Sequence, residues 1–101
     1  MRVFALRRLR EFWEGPPVRS DAEQPLRAWY REAEMADWKT PADIKEKYRS
    51  ASFVGGNRVV FNIAGNKYRL VVHVNYPART VFVRFVGTHK DYDAIRNIET
   101  I

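Results

Sequence analysis

The chain has 101 residues, 46% hydrophobic and 14% aromatic, which suits one small folded domain over 1–101 and excludes a disordered tail. It contains no cysteine, so disulfides, thiolate nucleophiles and cysteine-ligated zinc or iron–sulfur centres are excluded. Lys and Arg number 18 against 12 Asp and Glu, and this net charge of +6 favours an anionic partner.

In chain order, "MRVFAL" opens with a short strand over Arg2–Ala5, and "RRLREFWE" follows as a short helix with Leu6, Leu9 and Phe12 or Trp13 at helical spacing. Gly15-Pro16-Pro17 ends it. Arg7, Arg8 and Arg10 interrupt the N-terminal apolar run, so it does not read as a signal peptide. No window approaches the roughly 18 apolar residues of a membrane span. A cytoplasmic protein with no membrane partner is expected.

A second helix starts near Ser20 or Asp21 and carries Leu26, Trp29, Tyr30, Ala33 and Ala36 on one stripe. Trp29 and Trp38 read as core residues. In "KTPADIKEKY" Thr40 caps a third helix, Pro41 takes its first position and Asp43 stands three residues past the cap. "SASFVGGN", over 50–57, reads as an irregular loop.

Beyond Arg49 the period changes to that of strands. "RVVFNI", "KYRLVVHVN" and "TVFVRFV" are β-branched and aromatic, with Gly65-Asn66 as a type II′ turn and "YPAR" as the next. A final helix is expected over His89 to about Ile98. The fold class is α+β: N-terminal helices on one face of a small, mainly antiparallel sheet of three or four strands, with a short C-terminal helix.

Alternation sorts the strand side chains. Val59, Phe61, Ile63, Tyr68, Leu70, Val72, Val74, Val81, Val83 and Phe85 form an apolar layer. Val60, Asn62, Arg69, Val71, His73, Phe82, Arg84 and Val86 form the other face. Counting back from the turns puts Asn62 opposite Arg69, Val71 opposite Arg84 and His73 opposite Phe82. Arg84 then lies diagonal to both Arg69 and His73. No carboxylate on these strands neutralises the two arginines, and an unneutralised cationic cluster suits a bound anion.

"RFVGTHKDYDAI" feeds this patch. Gly87 lets the chain turn, Thr88 caps the last helix and Asp91 completes a capping-box-like pair. His89, Tyr92 and Asp93 share one side of that helix, where Asp93 can orient the His89 imidazole. His89 and Tyr92 can both move protons, and Lys90 adds charge. The two histidines and scattered carboxylates have no ligand spacing, so no metal or other cofactor is expected. "VGGN" lacks the Lys-Ser/Thr of a phosphate loop. Metal-free RNA cleavage needs none of these: a base, an acid and cations around the phosphorus suffice. Arg69, Arg84, His89, Lys90 and Tyr92 are the candidate catalytic groups.

"FNIAGNKYRLVV", "VFVRFVGTHKDYDAI" and "LRAWYREAEMADWKTPADIKEKY" closely resemble HigB-type toxins of the RelE/ParE superfamily, over nearly the whole chain. The resemblance implies a toxin of a type II toxin–antitoxin system. Such toxins cleave mRNA in the ribosomal A site without a metal and are neutralised by a helix-turn-helix antitoxin of HigA type. By motif position Arg69 matches the arginine of the "YRL" strand, and His89 and Lys90 fall where RelE carries basic catalytic residues. Tyr92 resembles the tyrosine of the C-terminal helix, and Arg84 fits the last strand. Where RelE has two strand lysines this chain has Val60 and Asn62. Either Lys67 or Arg58 takes their place, or His89 carries more of the proton transfer. Arg58, Asn62, Lys67 and His73 are thus the candidate RNA-binding residues. ParE relatives share the fold but act on gyrase, so a gyrase-binding toxin or a nucleic-acid-binding module is the alternative.

Overall fold

A computed structural model describes all 101 residues. Strand β1 (Arg2–Phe4) leads into helix α1 (Leu6–Trp13). A 3-10 segment, Pro17–Ala22, runs directly into α2 (Glu23–Met35), and α3 (Pro41–Lys47) follows. Then come β2 (Ser52–Val54), β3 (Arg58–Ile63), β4 (Tyr68–Asn75), β5 (Thr80–Thr88), the one-turn helix α4 (His89–Asp93) and a 3-10 turn at Ile98–Thr100. The strands form one sheet in the order β1-β5-β4-β3-β2, with β1 parallel to β5 and the rest antiparallel.

The helical half follows its sequence signals. Pro41 stands at the start of α3, and the Asp43 carboxylate accepts from the backbone N–H groups of Thr40 at 3.2 Å and Lys39 at 2.9 Å. Leu9, Phe12, Trp13, Leu26, Trp29, Ala33 and Ile44 are buried against Val59, Phe61, Ile63, Tyr68, Leu70, Val72, Val74, Val81 and Val83. Both Trp29 and Trp38 belong to this core and pack on Phe61. The second helix departs at its start, where Pro16 and Pro17 hold the chain in a 3-10 turn that replaces a side-chain cap.

The sheet has five strands rather than three or four. The added edge strand, Ser52–Val54, lies in the segment read as a loop. It pairs with β3 through Gly55-Gly56-Asn57, where Gly56 and Asn57 both take positive φ, at 70° and 58°. The β3–β4 turn falls where it is expected, with Gly65 at φ 69° and Lys67 N–H donating to the Ala64 carbonyl at 3.3 Å, but Ala64 also takes positive φ, at 54°, which a type II′ turn centred on Gly65-Asn66 does not call for. The final helix is shorter than expected. It stops at Asp93, where an acidic side chain in the last turn opposes the helix dipole. The chain then bends toward the β2–β3 turn, where the Arg58 guanidinium donates to the carbonyl of Ile101.

Candidate active site

The site is built on the sheet face away from α1 and α2, and one β-bulge decides its layout. From the second turn inward, Asn75 pairs with Thr80 and His73 with Phe82, as expected. Val72 then pairs with Val83, but Val71 pairs with Phe85, so Arg84 is an extra residue on β5. The expected Val71–Arg84 pairing does not form. Every residue of β5 beyond the bulge changes face. Val86 moves to the core, and Phe85 leaves the apolar layer for the other face. The carbonyl of Arg84 instead accepts from the Arg8 guanidinium of α1 at 2.8 Å.

Three cross-strand rows result. Asn62, Arg69 and Gly87 form the first. Val60, Val71 and Phe85 form the second. Arg58, His73, Phe82 and Phe4 form the third. The first and third lie four residues apart on β4, roughly 13 Å. The predicted single patch is therefore two, with buried Val60 and Val71 between them.

At the first row, Arg69 is half-buried, and its Nη1 donates to the carbonyls of Asn66 at 3.0 Å and Tyr68 at 3.3 Å. No carboxylate lies anywhere on β3, β4 or β5. Asn62 donates to the Ser50 carbonyl at 3.4 Å. Gly87 is buried opposite Arg69, with the Phe85 ring directly over it: a Cβ there would stand 2.6 Å from Phe85 Cζ. Making room for that ring, rather than turning the chain, is what this glycine does.

One residue further, Thr88 ends β5 and caps α4, accepting from Asp91 N–H at 3.1 Å. The Thr88 cap therefore forms as read, but the Asp91 carboxylate does not return a bond to Thr88 N–H, so the reciprocal half of the expected pair is not made. His89 and Lys90 are exposed in the single turn and Tyr92 is half-buried. His89 Nδ1 lies 3.7 Å from Asp93 Oδ2, too long for a hydrogen bond. The register thus starts α4, with His89, Lys90 and Tyr92, two residues past Gly87, the partner of Arg69.

The remaining candidates lie elsewhere. Lys67 is paired with Asp21, whose other carboxylate oxygen accepts from the Tyr68 hydroxyl. Those two bonds hold the Asp21 carboxyl below its usual range, and the Asp21 partner raises Lys67. Lys67 therefore faces the 3-10 segment, not the cationic face. Arg58 and Arg84 belong to the third row with His73. The His73 ring stacks on Phe82 at 6.0 Å, and its Nδ1 is buried without a partner. Burial first, then the Arg58 and Arg84 charges, lower its pKa and so favour the neutral imidazole. Arg84 stands over the Phe82 ring at 5.3 Å, its Nε buried and unpartnered. Phe4 and Phe85 are the residues that sequence reasoning does not assign to this face. The parallel pairing of β1 brings Phe4 here and the bulge brings Phe85, and neither has a local sequence mark.

No helix is long and apolar enough to cross a membrane. Residues 22–95 match the model of a family described as the RelE-like toxic component of a toxin–antitoxin system, HigB toxin. The chain is also 25% identical over 72 residues to the mRNA interferase HigB of Escherichia coli O6:H1 (strain CFT073), covering 69% of this chain and 70% of that protein.

Proposed function

Because the chain belongs to the RelE-like HigB toxin family, we propose that it is an mRNA interferase: a metal-independent endoribonuclease that cleaves mRNA in the ribosomal A site. The observation that carries this reading is the junction of β5 and α4. There an unneutralised Arg69 pairs with Gly87, two residues before His89, with Lys90 and Tyr92 on the same turn. The 2′-hydroxyl of one nucleotide attacks the adjacent phosphorus. A base removes its proton, the 2′-O–P bond forms, the P–O5′ bond breaks and an acid protonates the departing 5′ oxygen. His89 and Tyr92 are the groups for the two proton transfers. Arg69 and Lys90 stabilise the extra negative charge on the phosphoryl oxygens. Asn62 sits beside Arg69 where it can bond the RNA backbone.

The protein acts in the cytoplasm, and a helix-turn-helix antitoxin of HigA type neutralises it. The test is to induce the wild type and His89→Ala in a bacterial host and map mRNA 5′ ends and DNA breaks together. New 5′ ends within coding regions, lost in His89→Ala and without DNA breaks, are expected. Intact mRNA with DNA breaks would replace the nuclease by a gyrase-directed toxin.

A further inference from the structure

The third row of the sheet face is built from faces rather than from proton-transfer groups. Phe82 stacks on Phe4 across β5 and β1, with ring centroids 5.7 Å apart and planes 17° apart. His73 continues the stack from β4, its plane 27° from that of Phe82. Guanidinium groups lie over the two phenylalanines: Arg84 at 5.3 Å from the Phe82 centroid and Arg2 at 5.4 Å from that of Phe4. Phe4, on the edge strand, is 45% exposed and ends the row of rings at the solvent.

Two observations say what fits. The row is strongly cationic and free of carboxylates, so it suits an anionic chain. It also lies on the same face as Arg69, roughly 13 Å away along β4 and across the apolar row of Val60, Val71 and Phe85. Planar rings flanked by guanidinium planes are how proteins hold unpaired bases, and His73 Nδ1 and Arg84 Nε are buried polar atoms without partners.

We propose that Phe4 and Phe82, flanked by Arg2, Arg84 and His73, form a base-stacking subsite for an unpaired nucleotide flanking the scissile phosphate. This rests on the reading of the protein as an RNA-cleaving toxin and adds to it a second contact that the cleavage chemistry does not require. Phe82 is enclosed between Phe4 and His73, so the base stacks on the exposed Phe4 ring at the end of the row, which the other two rings back, and the guanidinium groups bind its phosphates. Recognition is by stacking, so the subsite tolerates several bases.

The test uses the whole protein and a fluorescent single-stranded RNA carrying 2′-O-methyl groups, which cannot be cleaved, with binding read by anisotropy. Phe4→Ala is expected to weaken binding about 5- to 100-fold, the loss of one stacked base. Phe4→Trp should restore or tighten it. The same RNA with one abasic position should bind more weakly to the wild type and lose little further on Phe4→Ala. Thermal melting checks that each variant is folded, and Phe82→Leu gives a second variant if Phe4→Ala is not. Equal affinity of folded Phe4→Ala and wild type overturns the proposal, as does a wild type that does not bind the RNA. So does a Phe4→Ala that only dissolves a dimer in sedimentation, which would assign the row to protein contact. The two readings fail separately. Stacking-dependent binding without cleavage of unmodified mRNA in cells refutes the nuclease alone, and normal cleavage with unchanged binding by Phe4→Ala refutes the subsite alone.

Discussion

Gly87→Ala tests whether the bulge organises the site. A methyl group at this position would stand 2.6 Å from Phe85 Cζ and 3.2 Å from both Cε atoms, closer than packed carbons sit. Gly87 is not among the glycines with positive φ, so the backbone itself accepts alanine. The whole penalty is therefore the collision with the ring. Overpacking costs about 1–3 kcal/mol, and a half-buried ring that can swing outward puts the cost near the lower end. About 1 kcal/mol corresponds to a fall of about 4–8 °C in melting temperature for a domain near this size. Because Gly87 pairs with Arg69, the displaced ring also disturbs the guanidinium, and mRNA cleavage is expected to fall about 10- to 100-fold. In a Phe85→Ala background the collision is gone. There the same substitution should be neutral or stabilise by about 0.4–1 kcal/mol, as alanine does where φ permits. Urea unfolding of the four proteins in this cycle measures the coupling. Additivity within about 0.5 kcal/mol would refute the placement of Phe85 over Gly87, and with it the bulge at Arg84.

Other substitutions separate stability from chemistry. Arg69→Ala removes two hydrogen bonds to carbonyls at the surface, so unfolding measurements should register a loss of about 1 kcal/mol or less, while cleavage drops about 10²–10³-fold. A rate loss no larger than the stability loss would remove Arg69 from the transition state. Gly56→Ala forces a side chain into φ 70° with its Cβ 2.2 Å from the Glu99 carbonyl, so it should cost at least about 1–2 kcal/mol and release the 98–101 segment, seen as faster hydrogen exchange there. The His73 pKa is lowered on folding, so the folded state takes up its proton less readily than the unfolded one. Stability from this group is intact above about pH 6.5 and is lost as pH falls from there through the lowered value. Urea midpoints between neutral and mildly acidic pH should show that slope in the wild type and a flatter one in His73→Gln.

Much of the fold was legible because its signals are local. The Thr40-Pro41-Asp43 cap, the Leu26–Trp29–Ala33 stripe and the Gly65-Asn66 turn each depend on neighbours a few residues away, and each forms. The register of β3 on β4 followed from that turn, so Asn62 does lie opposite Arg69. The misses are non-local. Ser52–Val54 is too short to show alternation and becomes a strand only because β3 offers an open edge. The last helix carries a good N-cap but ends after one turn, with the chain beyond it held by Arg58 at the start of β3. Arg84 has no composition that marks a bulge, and strict alternation past it assigned Phe85 and Val86 to the wrong faces.

The bulge also explains how one small face can serve two purposes. Without it Arg84 would stand opposite Val71, diagonal to both Arg69 and His73, and the two guanidinium groups would repel across the centre of the sheet. The extra residue swings Arg84 onto Phe82 and leaves Phe85, over Gly87, in its place. Charge is thereby moved outward to both ends of the face, and the centre is filled by Val60, Val71 and the Phe85 ring. If Arg69 meets the reacting phosphoryl group as proposed, the apolar row keeps the Arg58–Arg84 end roughly 13 Å from it, where those guanidinium groups add binding without touching the reacting phosphorus. Deleting Arg84 would leave a regular strand with Phe85 still opposite Val71 and Gly87 still opposite Arg69, so it should harm RNA binding more than cleavage, because the guanidinium over Phe82 would be lost while the Arg69 end keeps its register.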